Sequence, residues 1–154
     1  MALENSRLIQ ESILKERFEE ELKIAHDAQM KLLPKEMPEV DKLDLAAACI
    51  TANEVGGDYY DFFTLENNTL GIVIADVSGK GPAAAFYMAE IKGILESFAQ
   101  LFSSPKELLI QVNKTLYHTI DRKTFITMVY AIFDPKQQKL TFCRAGHCPP
   151  IMCN

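Results

Sequence analysis

The stretch DYYDFFTLENNTLGIVIADVSGKGP (58–82) constrains this chain more than any other. Two runs of aromatic and β-branched residues flank Glu66-Asn67-Asn68, the pattern of a β-hairpin. If the turn centres on Asn67, Asp58 and Asp76 lie directly opposite each other on one face. Opposed side chains in an antiparallel ladder have Cβ atoms about 5 Å apart. Two carboxylates at that range repel unless they share a proton or a cation. Mg²⁺ or Mn²⁺ suits the pair, because hard cations prefer oxygen ligands. The reading depends on register: a turn shifted by one residue puts the aspartates on opposite faces.

The flanks agree. Gly56 and Gly57 precede Asp58, and Gly79 and Gly81 follow Asp76. Glycines let the backbone approach an ion or a phosphate closely. A helix starting at Pro82 would aim its amide end at the same region, which favours anions. From the residues alone each aspartate keeps a plainer alternative. Asp58 could be a turn residue, and Asp76-Val77-Ser78-Gly79 an Asx-turn that caps the helix. Asp61 reads as a solvated or ladder charge. The SGKG tetrapeptide is no P-loop, which needs glycine at Ile74 and Ser or Thr at Gly81. No G-x-S-x-G elbow is present, and Cys49 sits in an apolar run, so a covalent nucleophile has no support.

Elsewhere, residues 3–33 lack Gly and Pro and read as one long helix, ended by Pro34 and Pro38. Phe18, Leu22, Ala25 and Leu32 form an imperfect heptad seam that Gln29 interrupts. Such a helix packs on its own domain or carries signals and dimerises; the expectation is that its first half projects and its second half docks. Residues 43–50 read as a strand. Residues 82–101 and 103–120 read as helices, the second with capping-box spacing at Ser104 and Glu107. Residues 125–146 read as a hairpin turning at Asp134-Pro135, and CPPIMCN (148–154) as the start of another strand. The expected order is helix, three strands, two helices, then strands. Strands and helices come in blocks, so the fold class is α+β with mostly antiparallel strands.

With 154 residues, the chain has room for one domain with a substantial core. A net charge of −5 and scattered lysines argue against nucleic acid or an anionic membrane as partner. The start lacks the basic and apolar regions of a signal peptide, and no apolar run approaches the ~20 residues of a membrane span, so a cytoplasmic protein is expected. Cys49, Cys143, Cys148 and Cys153 show no tight pair of the zinc-site kind. They read as reduced thiols, with His147 beside Cys148 as the one hint of a metal. His26 and His118 read as surface or helix-face residues.

Five segments in order carry a resemblance: AHDAQMKLLP (25–34), ANEVGGDYYDFF (52–63), IADVSGKGPAAAFYMAEIKGIL (74–95), FITMVYAIFD (125–134) and RAGHCPP (144–150). Together they resemble the SpoIIE-like, RsbU-type serine/threonine phosphatases of the PPM (type 2C) superfamily. The resemblance implies an α/β/β/α sandwich of antiparallel sheets flanked by helices. It divides the chain into a linker helix (1–33) and a partial phosphatase domain (34–154). It implies a phosphoprotein phosphatase using two Mn²⁺ or Mg²⁺ ions, with Asp58, Asp76 and the Val77 carbonyl as metal ligands and a metal-activated water as nucleophile. Asp58 and Asp76 are thereby the catalytic residues. The implied substrate is a phosphorylated anti-sigma-factor antagonist in bacterial partner switching. The helix from 82 resembles a regulatory switch element. The helix ending at Leu33 resembles the linker from an upstream sensor domain, often dimeric.

Two departures stand out. Thr51 replaces a proline usual before ANEVGGD. Members of the family also continue past the stretch matching AGHCPP into further strands and a second acidic motif, Asp-Gly, which occurs nowhere here. The resemblance therefore implies a domain incomplete at its C-terminus. The parent protein is then the active phosphatase, while these residues alone bind metal poorly and have little or no activity. An unpaired sheet edge would invite dimerisation. The alternative is a non-catalytic regulatory or scaffold domain of the same fold, signalling through its N-terminal helix.

Overall fold

Residues 58–77 fold as the expected hairpin, in the expected register. The architecture comes from a computed structural model that describes residues 2–51 and 55–153. Strands β1 (Asp58–Thr64) and β2 (Leu70–Val77) pair antiparallel, with Asp58 opposite Asp76 and Thr64 opposite Leu70. A 3₁₀ turn at Glu66–Asn68 joins them. Asn67 and Asn68 take left-handed φ values of 57° and 61°, which asparagine tolerates better than branched residues do. The Leu65 N–H closes the turn on the Thr69 carbonyl at 2.9 Å.

Around the hairpin lie α1 (Ala2–Met30), α2 (Pro82–Phe98), α3 (Pro105–Leu116), β3 (Ile126–Asp134) and β4 (Lys139–Ala145). The strands form one antiparallel sheet in chain order, β1-β2-β3-β4. This confirms the α+β class. Among the described residues there is one sheet, with α2 and α3 on one of its faces.

Alternation along each strand sorts the side chains. Tyr59, Phe63, Val73, Ala75, Met128 and Tyr130 face the helices and are buried. Against them α2 presents Ala84, Met88, Ile91 and Leu95, and α3 presents Leu108, Leu109, Val112 and Leu116. Burying a side chain of that size contributes about 1.5–3 kcal/mol. On the other face, Ile74, Leu140 and Phe142 are each about half exposed. Gly71 makes room for a single group: a β-carbon there would lie 2.5 Å from the Tyr130 hydroxyl oxygen.

Helix signals behave as expected. The Ser104 hydroxyl caps α3 by accepting from the Glu107 N–H, with Pro105 following. Helix α2 starts on Pro82 after Gly81, whose φ of 77° is left-handed, and stops at Phe98, three residues before the expected end. The β3–β4 turn forms at Asp134, whose carboxylate accepts from the Lys136 and Gln137 N–H groups. In α1, residues 4–21 are exposed, while Leu22, Ala25 and Gln29 turn inward and Leu33, just beyond the helix, is buried. The first half thus projects and the second docks, except that Phe18 of the expected seam is 60% exposed.

Among the described residues, two expected strands are absent. Residues 44–50 join no ladder; the bridge nearest them is Val40 to Leu43. Residues 147–153 are likewise irregular. Apolar composition favours a strand only where a neighbour supplies hydrogen bonds, and β1 and β4 each bond one neighbour among the described residues. The observed order is therefore helix, two strands, two helices, two strands. No described helix is long and apolar enough to cross a membrane.

Candidate active site

Ladder geometry decides how close the two aspartates come. The Val77 N–H donates to the Gly57 carbonyl at 3.3 Å, in phase with the Leu65–Thr69 bond at the turn. Odd-numbered residues of β1 thus occupy hydrogen-bonded pairs. Asp58 and Asp76 form a non-hydrogen-bonded pair, the kind whose side chains approach most closely. Both are exposed, and among the described residues neither carboxylate has a hydrogen-bond donor or a salt-bridge cation. Asp76 caps nothing: it lies within β2, and the N-cap of α2 is Gly81 with no side-chain cap. Asp58 opens β1 rather than forming a turn.

The backbone beside the pair is tightly drawn. A β-carbon on Gly57 would come within 2.6 Å of the Val77 carbonyl oxygen and 2.8 Å of the Val77 Cβ, so only glycine fits. The preceding Gly56 is held by Gln29 at the end of α1: Gln29 Nε2 donates to the Gly56 carbonyl at 2.5 Å, and the Gly56 N–H donates to Gln29 Oε1 at 3.1 Å. Residues 52–54 of the ANEVGGD motif lie outside the described residues. After Asp76, Ser78 and Phe125 exchange two bonds, Ser78 N–H to the Phe125 carbonyl and Phe125 N–H to Ser78 Oγ, both at 2.9 Å.

Asp58 and Asp76 open into a cavity of about 600 Å³, whose lining includes Cys49, Ile50, Tyr60 and His147. Burial and the neighbouring Asp58 charge push the Cys49 thiol above its usual pKa, which leaves it a poor nucleophile. His147 Nδ1 lies 2.7 Å from Thr127 Oγ1, and Thr127 is the ladder partner of Asp76 on β3. The Arg144 guanidinium donates to the His147 carbonyl at 3.0 Å. The His147-Cys148 hint thus resolves into its parts: His147 lines the cavity and Cys148 is exposed outside it. His26 is half-buried on α1, and His118 is exposed on the turn after α3.

Asp61 is a ladder charge, as one of its two readings had it, paired with Val73 on β2. It is 6% exposed, on the helix face of the sheet, neither solvated nor part of the cavity. Its carboxylate accepts from Tyr59 Oη at 2.7 Å, Lys92 Nζ at 2.8 Å and the Phe62 N–H at 2.8 Å. Lys92 also pairs with Glu96 at 2.8 Å. Burial works against the ammonium, but its bonds to Asp61 and Glu96 outweigh that and raise its pKa. Burial and the bond to Asp61 likewise raise the Tyr59 phenol. Lys92, like Gln29, gave no functional signal in sequence beyond being a polar residue on an otherwise apolar helix face.

Residues 66–154, more than half of the chain, match the family described as Stage II sporulation protein E (SpoIIE). The chain belongs to the SpoIIE family. This SpoIIE-family chain is 33% identical over 136 residues to "Phosphoserine phosphatase RsbU" of Bacillus subtilis (strain 168), covering 88% of this chain and 40% of that protein. It is 22% identical over 135 residues to "Phosphoserine phosphatase RsbP" of the same organism, covering 85% and 33%. Among solved structures it is similar to the RsbU and RsbW domains of Rv1364c from Mycobacterium tuberculosis. That match has 25% identity and a TM-score of 0.55, and covers 64% of this chain and 27% of that one. The chain thus spans well under half the length of these relatives. The resemblance to RsbU-type PPM phosphatase domains is borne out.

Are the site residues suited to a hard divalent cation? Two facing carboxylates and a close backbone carbonyl are all oxygen donors, and Mg²⁺ is often held by one or two carboxylates with water and substrate phosphate completing its shell. The donors fit. Among the described residues no group of three or more His, Cys, Asp or Glu could hold a metal, so the set is partial.

Proposed function

We propose that this domain is the catalytic core of a metal-dependent phosphoprotein phosphatase acting on phosphoserine or phosphothreonine. The observation that carries the reading is the Asp58–Asp76 pair, opposed at a close-approach position, unpartnered among the described residues and open to a cavity. Asp58, Asp76 and the Val77 carbonyl would hold Mn²⁺ or Mg²⁺. When bound, such ions draw charge from the phosphoryl oxygens and lower the pKa of an attacking water. The chain's own part is positional. The ladder holds the carboxylates at fixed spacing, Gly57 keeps side chains away from the Val77 carbonyl, and Thr127 steadies the His147 ring at the cavity wall. The names of RsbU and RsbP support a phosphoserine substrate. The substrate proposed for this chain is a phosphorylated anti-sigma-factor antagonist protein.

The test is Mn²⁺-dependent hydrolysis of p-nitrophenyl phosphate, and of a phosphorylated antagonist protein, by the full-length protein. Asp76→Asn is expected to lower the rate at least 100-fold; undiminished activity sinks the proposal. The partial donor set favours a second reading, a regulatory domain of the same fold without hydrolysis. In that case the wild type is inactive with every divalent ion yet still binds the antagonist protein.

A further inference from the structure

The end of α1 is wired to the loop that delivers Asp58. Gln29 is 6% exposed and spends both halves of its amide on the two backbone groups of one residue, Gly56. Pairing of that kind fixes a peptide as a neighbouring strand would. Gly56 leads into Gly57, whose carbonyl holds the Val77 N–H, and then into Asp58. Behind Gln29, its own carbonyl accepts from the Leu32 N–H at 2.9 Å, and Leu33 is buried in the core. By contrast, residues 4–21 of the same helix are exposed. One helix thus has a free arm and an end that grips the loop before a carboxylate of the site.

Resting on the metal-dependent reading above, we infer that Gln29 is a positioning residue: its amide fixes the Gly56–Gly57 loop that places Asp58, and divalent-cation affinity depends on that clamp. The contact reaches Asp58 through two glycines, which by themselves hold no fixed conformation. Without the amide clamp the loop samples more states, and the cation must select the competent one.

The experiment uses the full-length protein and Mg²⁺. Gln29→Met keeps the length of the side chain and removes both bonds. Its Mg²⁺ affinity by calorimetry is expected to fall about tenfold, the usual cost of removing support behind a metal ligand. Gln100→Ala removes a similar bond at the far end of β1, Gln100 Nε2 to the Thr64 carbonyl at 2.8 Å, and should leave that affinity unchanged. Coupling is reciprocal, so in the wild type saturating Mg²⁺ should slow exchange of the Gln29 side-chain amide and the Gly56 backbone amide by about tenfold. That measurement needs no variant and decides the matter if Gln29→Met does not fold. Equal affinity in wild type and Gln29→Met, or exchange indifferent to Mg²⁺, overturns the inference while Mg²⁺ binding by the wild type stands. A wild type that binds no Mg²⁺ overturns the functional reading, and this inference with it.

Discussion

Asp76 is held against a like charge. It faces Asp58 across the ladder with no compensating cation among the described residues, and like charges directly opposed destabilise a sheet. At about 5 Å and solvent-like screening the repulsion is about 1 kcal/mol. Asp76→Asn should therefore raise the melting temperature in EDTA by a few degrees while it lowers the proposed hydrolysis at least 100-fold; a lower melting temperature would mean that the carboxylate is structural. This pair was legible in sequence because the Asn67-Asn68 turn sets the register, and the register places both aspartates on one face. Gln29 was not legible as a clamp. Its partner is a backbone 27 positions away, and backbone groups carry no sequence signature. The visible sign was a polar residue breaking an apolar seam. The solvated alternative for Asp61 failed for the opposite reason. In an alternating strand its position is on the inward face, yet its partner Lys92 lies on another element, so only the assembled fold shows why a charge is buried there.

That ion pair belongs to the scale of elements, because it fastens β1 to α2. Asp61 takes one bond from its own strand neighbour Tyr59 and one from Lys92 on the helix. Removing one partner of a buried, hydrogen-bonded pair typically costs about 3–5 kcal/mol. Glu96 still reaches Lys92, so Asp61→Ala should cost about 3 kcal/mol, at the low end of that range. Urea unfolding of the variant checks this; a loss below about 1 kcal/mol would show that apolar packing alone holds α2. The helices were legible from Pro82, Ser104 and Pro105, which act within one turn. Residues 43–50 were misread because an apolar run reports only a wish to be buried. Ala46, Ala47 and Ala48 are exposed, beside the cavity rather than in a ladder.

On the scale of the whole molecule, the core sets a limit on alkaline stability. Tyr130 is fully buried, its hydroxyl has no partner among the described residues, and burial pushes its pKa up to about 12. The Tyr59 phenol and the Lys92 ammonium are raised as well. A group whose folded pKa exceeds its unfolded value keeps its full contribution below the unfolded pKa and loses it as pH rises through the folded one. Unfolded tyrosine titrates near pH 10, so stability should hold to about pH 10 and then fall by about 1.4 kcal/mol per pH unit per tyrosine. Tyr130→Phe should be neutral or stabilising at pH 8, because it removes an unsatisfied hydroxyl, and should make the decline above pH 10 shallower. Urea midpoints at pH 8 and pH 11 test both; an unchanged slope in the variant would contradict the assignment. The α+β class was legible because helices and strands come in blocks, whereas the sheet order was not, since nothing local states which strand lies beside β3.

The order of the strands also carries a consequence in time. Five residues, 65–69, separate β1 from β2, whereas residues 78–125 separate β2 from β3. Closing the short loop costs less entropy, and hairpins form within about 1–10 μs. The two aspartates therefore meet early, before the helices and β3 have docked, and meet as a repulsive pair. A cation in the surrounding solution would then act on the birth of the domain rather than on its survival. Mg²⁺ should speed refolding more than it slows unfolding in stopped-flow experiments, and the reverse result would place the meeting of the two aspartates after the folding barrier.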